Sequence, residues 1–264
     1  MLRDFFYGFF VCFRAPAFIN KHRLNHIYLI PFLAWIILLI LIIINSIHLS
    51  THISETILQW LKSWDVNFLN VDLLNKGIRI FIRFFLMYSG WLYSRYLALL
   101  FLGPFMSWVS HKTEQKINVV IPQIKTSFFT SVIRSARVAL QYGISEMVFS
   151  LLFAFLGLIF PPFALISVPM IMLTSVYFSG LSVLDIVLER YAPDWNATRL
   201  YLSDLKMFAL GLGCFYWLTF SIPWIGLFTG LILGIPLSTV GATIGFHTLM
   251  EKKERVNLTN RNIP

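Results

Sequence analysis

Charge is scarce in this chain. Asp, Glu, Lys and Arg make up 12% of the 264 residues, about half of the roughly 25% usual in soluble domains. Meanwhile 58% of the residues are hydrophobic and 26 are Phe. That balance excludes an ordinary soluble domain, because a chain of this length cannot bury so much apolar surface in one core. Cysteine is nearly missing as well. Cys12 and Cys214 lie far apart in apolar stretches and offer neither a disulfide framework nor a zinc spacing; they read as small apolar fillers. The short alternating segments of a membrane barrel are absent. So are a Walker loop, a GxSxG elbow and an HExxH motif. The chain therefore reads as non-enzymatic, with no catalytic residues, no cofactor and no metal site. The pairs His22/His26 and His48/His52 share a helical face, but no acidic third ligand stands near them.

What is present is a series of long apolar runs. Residues 27–47 carry no charged side chain. About 20 apolar residues rising 1.5 Å each cross a hydrocarbon core of about 30 Å. The fold class is all-α and integral to a membrane, with the lipid bilayer as the principal partner. Residues 1–20 read as an interfacial helix: Phe5, Phe6, Phe9, Phe10 and Phe13 form an aromatic stripe, and Pro16 marks its end. Arg14 and the placement of Pro16 argue against cleavage of this segment as a signal peptide. Spanning helices are expected at 27–48 and 78–103, the second closed by Gly103-Pro104. Residues 49–77 form a more polar connection. Residues 105–143 are basic and amphipathic, ending in another interfacial or cytoplasmic helix. Residues 144–184 and 207–250 are helical hairpins, the first broken by Gly157, Pro161 and Pro162 and the second by Pro223, Gly226, Gly230, Gly234 and Pro236. Each hairpin either crosses fully or penetrates partway and returns. All 264 residues form one membrane domain.

The formal charge of +9 is concentrated beside the apolar runs. Anionic lipid and topology control explain it more simply than nucleic acid does. Arg3, Arg14, Lys21 and Arg23 precede the first span, and Lys252, Lys253, Arg255 and Arg261 crowd the C-terminus. The positive-inside rule then places both termini on the cytoplasmic side and 49–77 outside.

Several ordered segments resemble one family. Gly8, Arg14 and Ile30-Pro31-Phe32-Leu33 are similar to the start of the CysZ-like proteins, which are grouped with the eukaryotic etoposide-induced proteins. Gly103-Pro104-Phe105 with Glu114, and Asp185 after the first hairpin, match further segments. The fullest match is Gly211-Leu212-Gly213, Ile222-Pro223, Ile235-Pro236 and Val240-Gly241-Ala242-Thr243, although the stretch between Pro223 and Pro236 is longer here. The resemblance implies two long spanning helices, two partly penetrating hairpins, homo-oligomeric assembly in a bacterial inner (cytoplasmic) membrane, and sulfate uptake. It also implies an anion site just before the first span. The aligned stretch is Arg23-Leu24-Asn25-His26, which lacks the family's glycine and arginine pair. Lys21, His22, Arg23 and His26 still bring positive charge to a helix start, where free N–H groups favour an anion.

Arg95 stands inside the second span, where an ionised side chain is costly and usually faces a bundle interior or water. It reads either as an anion-attracting group in a permeation path or as an arginine that snorkels or pairs with a carboxylate such as Glu146. The candidate substrate-binding set is thus Arg23, Asn25, His26 and Arg95. Asp185, Glu189, Asp194 and Asp204, with Arg190, Arg199 and Lys206, read as a solvated, self-paired turn between the hairpins. Two functions fit: a channel- or permease-like pathway for a small inorganic anion such as sulfate, or a non-transporting membrane scaffold acting on lipid or protein partners.

Overall fold

The computed structural model describes residues 2–62, 71–119, 128–192, 195–222 and 225–261. Among them every regular element is helical. The elements are α1 (Leu2–Lys21), α2 (Leu29–Lys62), α3 (Val71–Lys116), α4 (Phe128–Ile159), α5 (Ala164–Leu188), α6 (Trp195–Asp204), α7 (Lys206–Ser221), α8 (Gly226–Thr229) and α9 (Ile235–Arg261). A short 3-10 turn precedes α2, and a π-helical segment, Gly230–Gly234, joins α8 to α9. Pro223, Asp194, Lys125 and residues 63–70 of the expected external connection lie outside the described residues.

Among the described residues four helices are long and apolar enough to cross a membrane: Asn25–Ile57, Phe129–Ile159, Ala164–Leu188 and Gly226–Lys252. This is an all-α integral membrane protein. The segment 78–103 lies within α3 but is not among the four, because Gly90, Ser94, Arg95 and Tyr96 dilute its hydropathy. Its outer face is nonetheless apolar, with Phe81, Phe84 and Phe85 between 60% and 71% exposed. Such a face suits contact with lipid. At 16 residues α7 is short for a crossing.

Three expected helix ends are absent. The helix α1 runs through Pro16 to Lys21, α3 runs through Pro104 to Lys116, and α4 begins at Phe128 rather than near 144. In each case packing outweighs local propensity. Ala15 and Ile19 flank Pro16 and are fully buried. Beyond Pro104, Met106, Val109, Ser110, Thr113 and Glu114 are buried. Gly143 does not break α4; it lets α4 approach the ring of Tyr96, 3.4 Å from where a Cβ would stand. Similarly, α2 extends past His48 because Ser46, Ser50 and Ser54 form a buried stripe. Their hydroxyls bond carbonyls three residues back, at 2.8–2.9 Å.

The centre of the bundle is set by close helix approaches. The helix α7 is held between α1 and α5: a Cβ on Gly211 would meet Phe5 O at 2.0 Å, and one on Gly213 would meet Val176 O at 1.9 Å. Gly241 lets α9 cross α1 at Cys12. The inner face of α1 (Gly8, Val11, Cys12, Ala15, Ile19) is buried, while Phe6, Phe10 and Phe13 remain exposed. The expected aromatic stripe is therefore divided: Phe9 and Phe13 touch Phe215, and Phe6 and Phe10 stack on each other.

Candidate functional site

The candidate residues fall in two places. Arg23, Asn25 and His26 are exposed in the turn between α1 and α2. Arg23 has φ +56°, a left-handed conformation that reverses the chain there. The His26 ring meets Trp108 of α3 edge-on, at 5.7 Å. Arg95 lies thirteen residues before Trp108 on α3, about 20 Å along the axis. The structure thus does not bring Arg95 together with the turn.

Arg95 is 4% exposed and forms a salt bridge with Glu146 of α4, itself 4% exposed. The Tyr96 hydroxyl also donates to Glu146. Ser175 of α5 donates to Glu146 at 2.5 Å, and Arg95 reaches Ser175 at 3.1 Å. Tyr216 of α7 donates to the Arg95 carbonyl at 3.2 Å. Four helices therefore meet at one buried ion pair. The Arg95 Nε is buried without an acceptor among the described residues.

Two further ionic layers lie toward the end of α5. Arg134 of α4 forks onto Asp185 at 3.1 and 3.2 Å and also donates to Ala192 O and Thr198. Ser131 donates to Glu189. Arg190 forks onto Glu114 of α3 at 2.9 and 3.0 Å and reaches Ser107 O and Ser110. His247 of α9 and Tyr191 complete the shell of Glu114, each at 3.3 Å or less. Ser110 also meets Thr243 at 2.8 Å.

This arrangement corrects the reading of residues 185–190 as a solvated turn. Asp185, Glu189 and Arg190 are 3–5% exposed. Asp185 lies in the last turn of α5, and Glu189 and Arg190 directly follow it; Leu181, Leu184 and Leu188 continue the apolar periodicity that buries this end. Ser182, Asp185 and Glu189 form a polar stripe on that helical repeat, a sequence signal that identifies them. Glu114 and His247 left no such mark, because their partners are 76 and 133 residues away.

Burial pushes the Glu114 carboxyl up. The bonds from His247 and Arg190, with the Arg190 charge, outweigh that and hold it below the usual carboxylate range. Burial and then the Glu114 charge push the Tyr191 hydroxyl up. Both groups stay in the forms that their bonds require at neutral pH. Thr243→Val is expected to lower stability by about 1 kcal/mol, read as a lower melting temperature in detergent, since Ser110 loses one of its two partners. An unchanged melting temperature would remove Thr243 from the network.

No groups of three or more His, Cys, Asp or Glu suited to a metal occur among the described residues. The chemistry is that of paired charges binding helices together inside a lipid-facing bundle, with an exposed basic turn at the start of α2. These features define a multi-pass helical membrane protein with an ionic interior.

The chain belongs to the family described as Sulfate transporter CysZ/Etoposide-induced protein 2.4, whose family model matches residues 11–229. No curated protein sequence gives a significant match. Family membership makes this a sulfate-transporter-like membrane protein. Gly211 and Gly213, within the matched residues, are where α7 closely approaches α1 and α5.

Proposed function

We propose that the protein is a channel- or permease-like pathway for a small inorganic anion, with sulfate the leading candidate, working as a homo-oligomer in a bacterial inner membrane with both termini cytoplasmic. The observation that carries this reading is the family match across 11–229. Two features support it. The turn before α2 presents Arg23 and His26 in the open, beside the start of α2, where the helix dipole favours negative charge. Farther in, Arg95 holds one buried donor without an acceptor among the described residues. In this reading Arg23, Asn25 and His26 receive the anion, and Arg95 offers its spare N–H donor farther along the path. Glu146 neutralises the Arg95 charge, so that donor can bond an anion without trapping it.

Labelled sulfate uptake into proteoliposomes tests this reading. Wild type should exceed empty vesicles, and Arg23→Gln/His26→Gln should lower the initial rate about tenfold, the effect of weakening anion attraction by about 1.4 kcal/mol. Arg95→Met/Glu146→Met, which removes the pair without burying a lone charge, should lower the rate as well. Uptake of sulfate and other oxyanions equal to that of empty vesicles would sink the proposal. The exposed Phe6 and Phe10 of α1 favour the second reading, a non-transporting scaffold. It predicts no conductance in planar bilayers and a stable protein partner recovered under mild detergent.

A further inference from the structure

A cleft of about 530 Å³ opens between α4, α5 and α6, near the point where α7 begins. That is the size of a small-molecule site. Tyr142, Tyr177 and Phe178 give it an aromatic wall, and Arg199 and Lys206 bring two positive charges. Among the described residues no carboxylate lines it. The two cations differ from the paired arginines. Arg95, Arg134 and Arg190 are each held by a carboxylate. Arg199 and Lys206 are exposed, and among the described residues neither has a hydrogen bond or ion pair.

The surroundings indicate which anion fits. Gln141 and Ser145 line the cleft from α4. The same face of α4 continues at helical spacing to Val148 and Leu152, which are 55% and 49% exposed. One continuous strip therefore passes from a cationic, hydroxyl-bearing cleft to a bare apolar wall. On α6, Leu200 lines the cleft and is 71% exposed. A free inorganic anion would use the charges and leave the aromatic wall and the strip uncovered. An amphiphile with an anionic head and apolar tails covers both.

We propose that this cleft binds the phosphate-bearing head of an anionic phospholipid, with Arg199 and Lys206 pairing its charge and the acyl chains running along the Val148–Leu152 face of α4. Ser145, Ser203 and Gln141 supply hydrogen bonds to the head. Neither the turn at 23–26 nor Arg95 lines this cleft, and the proposal does not depend on sulfate transport. A zwitterionic choline head is disfavoured, because its own cation would sit beside two others.

The test uses the full-length protein in neutral detergent, titrated with dioctanoyl phosphatidylglycerol, dioctanoyl phosphatidylcholine or glycerol 3-phosphate, with bound adducts read by native mass spectrometry. Wild type should bind phosphatidylglycerol at least tenfold more tightly than either of the others. Arg199→Gln/Lys206→Gln should weaken that binding about 25-fold, roughly fivefold for each basic residue removed. Arg199→Lys/Lys206→Arg should retain it within about threefold. Both positions are exposed, so the Gln variant should melt like wild type without lipid. If it does not, Arg199→Gln and Lys206→Gln alone give the same comparison, at about fivefold each. Equal binding of phosphatidylcholine, or unchanged affinity in the Gln variants, overturns the proposal. Glycerol 3-phosphate binding as tightly as the lipid overturns it too, since the cleft would then take a free anion.

Discussion

Arg190→Ala is expected to destabilise the protein by about 3–5 kcal/mol, the range for breaking one side of a buried ion pair. Arg190 is 5% exposed, and Glu114, its partner, is completely buried. The guanidinium makes two bonds to Glu114, two to Ser107 and one to Ser110. Its loss leaves a buried carboxylate held by His247 and Tyr191, with His111 at 4.0 Å. The same truncation separates α3 from the end of α5. Arg190→Lys should be intermediate, because an ammonium keeps the charge but not the fork. Arg190→Met/Glu114→Met should recover most of the loss, since paired apolar residues often replace a buried ion pair without penalty. The readout is the monodisperse fraction on size exclusion, together with the melting temperature in detergent. The pH dependence should follow the depressed Glu114 pKa. Its contribution is present above the unfolded carboxylate value of about 4.3 and is lost as pH falls through the lower folded value. Arg190→Ala melting within a degree of wild type would show that this layer does not hold the fold.

Lipid as solvent was legible in the sequence, because scarce charge and long apolar runs leave no other medium. The pairing of Arg95 with Glu146 was also within reach, since an intramembrane arginine needs a counter-ion. Helix boundaries were not. Pro16 and Pro104 look like terminators, yet tertiary burial of their neighbours carries both helices onward. The stretch around Asp185 and Arg190 looked solvated because local polarity cannot show that α3 and α4 supply its partners. A sequence window sees the helical repeat and misses contacts made from 51 or 76 residues away. The exposed Arg23, Asn25 and His26 were placed by resemblance, and the structure adds the turn geometry that presents them.

Gly213→Ala should be nearly as damaging, at about 3 kcal/mol or more, the upper end of overpacking effects. The added methyl would stand 1.9 Å from Val176 O and 2.6 Å from Gly180 N. Both are backbone atoms of α5, so no side chain can rotate away. The contact is reciprocal, because a methyl on Gly180 would stand 1.8 Å from Ala209 O. Relief requires moving α7 away from α5, but α1 blocks that route: Gly211 already approaches Phe5 O to the same degree on the opposite side. Displacing α7 also shifts Tyr216, which anchors the Arg95 carbonyl. Gly77→Ala is the matched control, since nothing lies within 4 Å of its Cβ position in α3. It should be neutral or gain up to about 1 kcal/mol from helix propensity. Melting temperatures of the two variants in the same detergent decide the matter. If Gly213→Ala melts with wild type, then α5 and α7 are not in backbone contact, and the close approach assigned to the Gly211-Leu212-Gly213 segment is wrong.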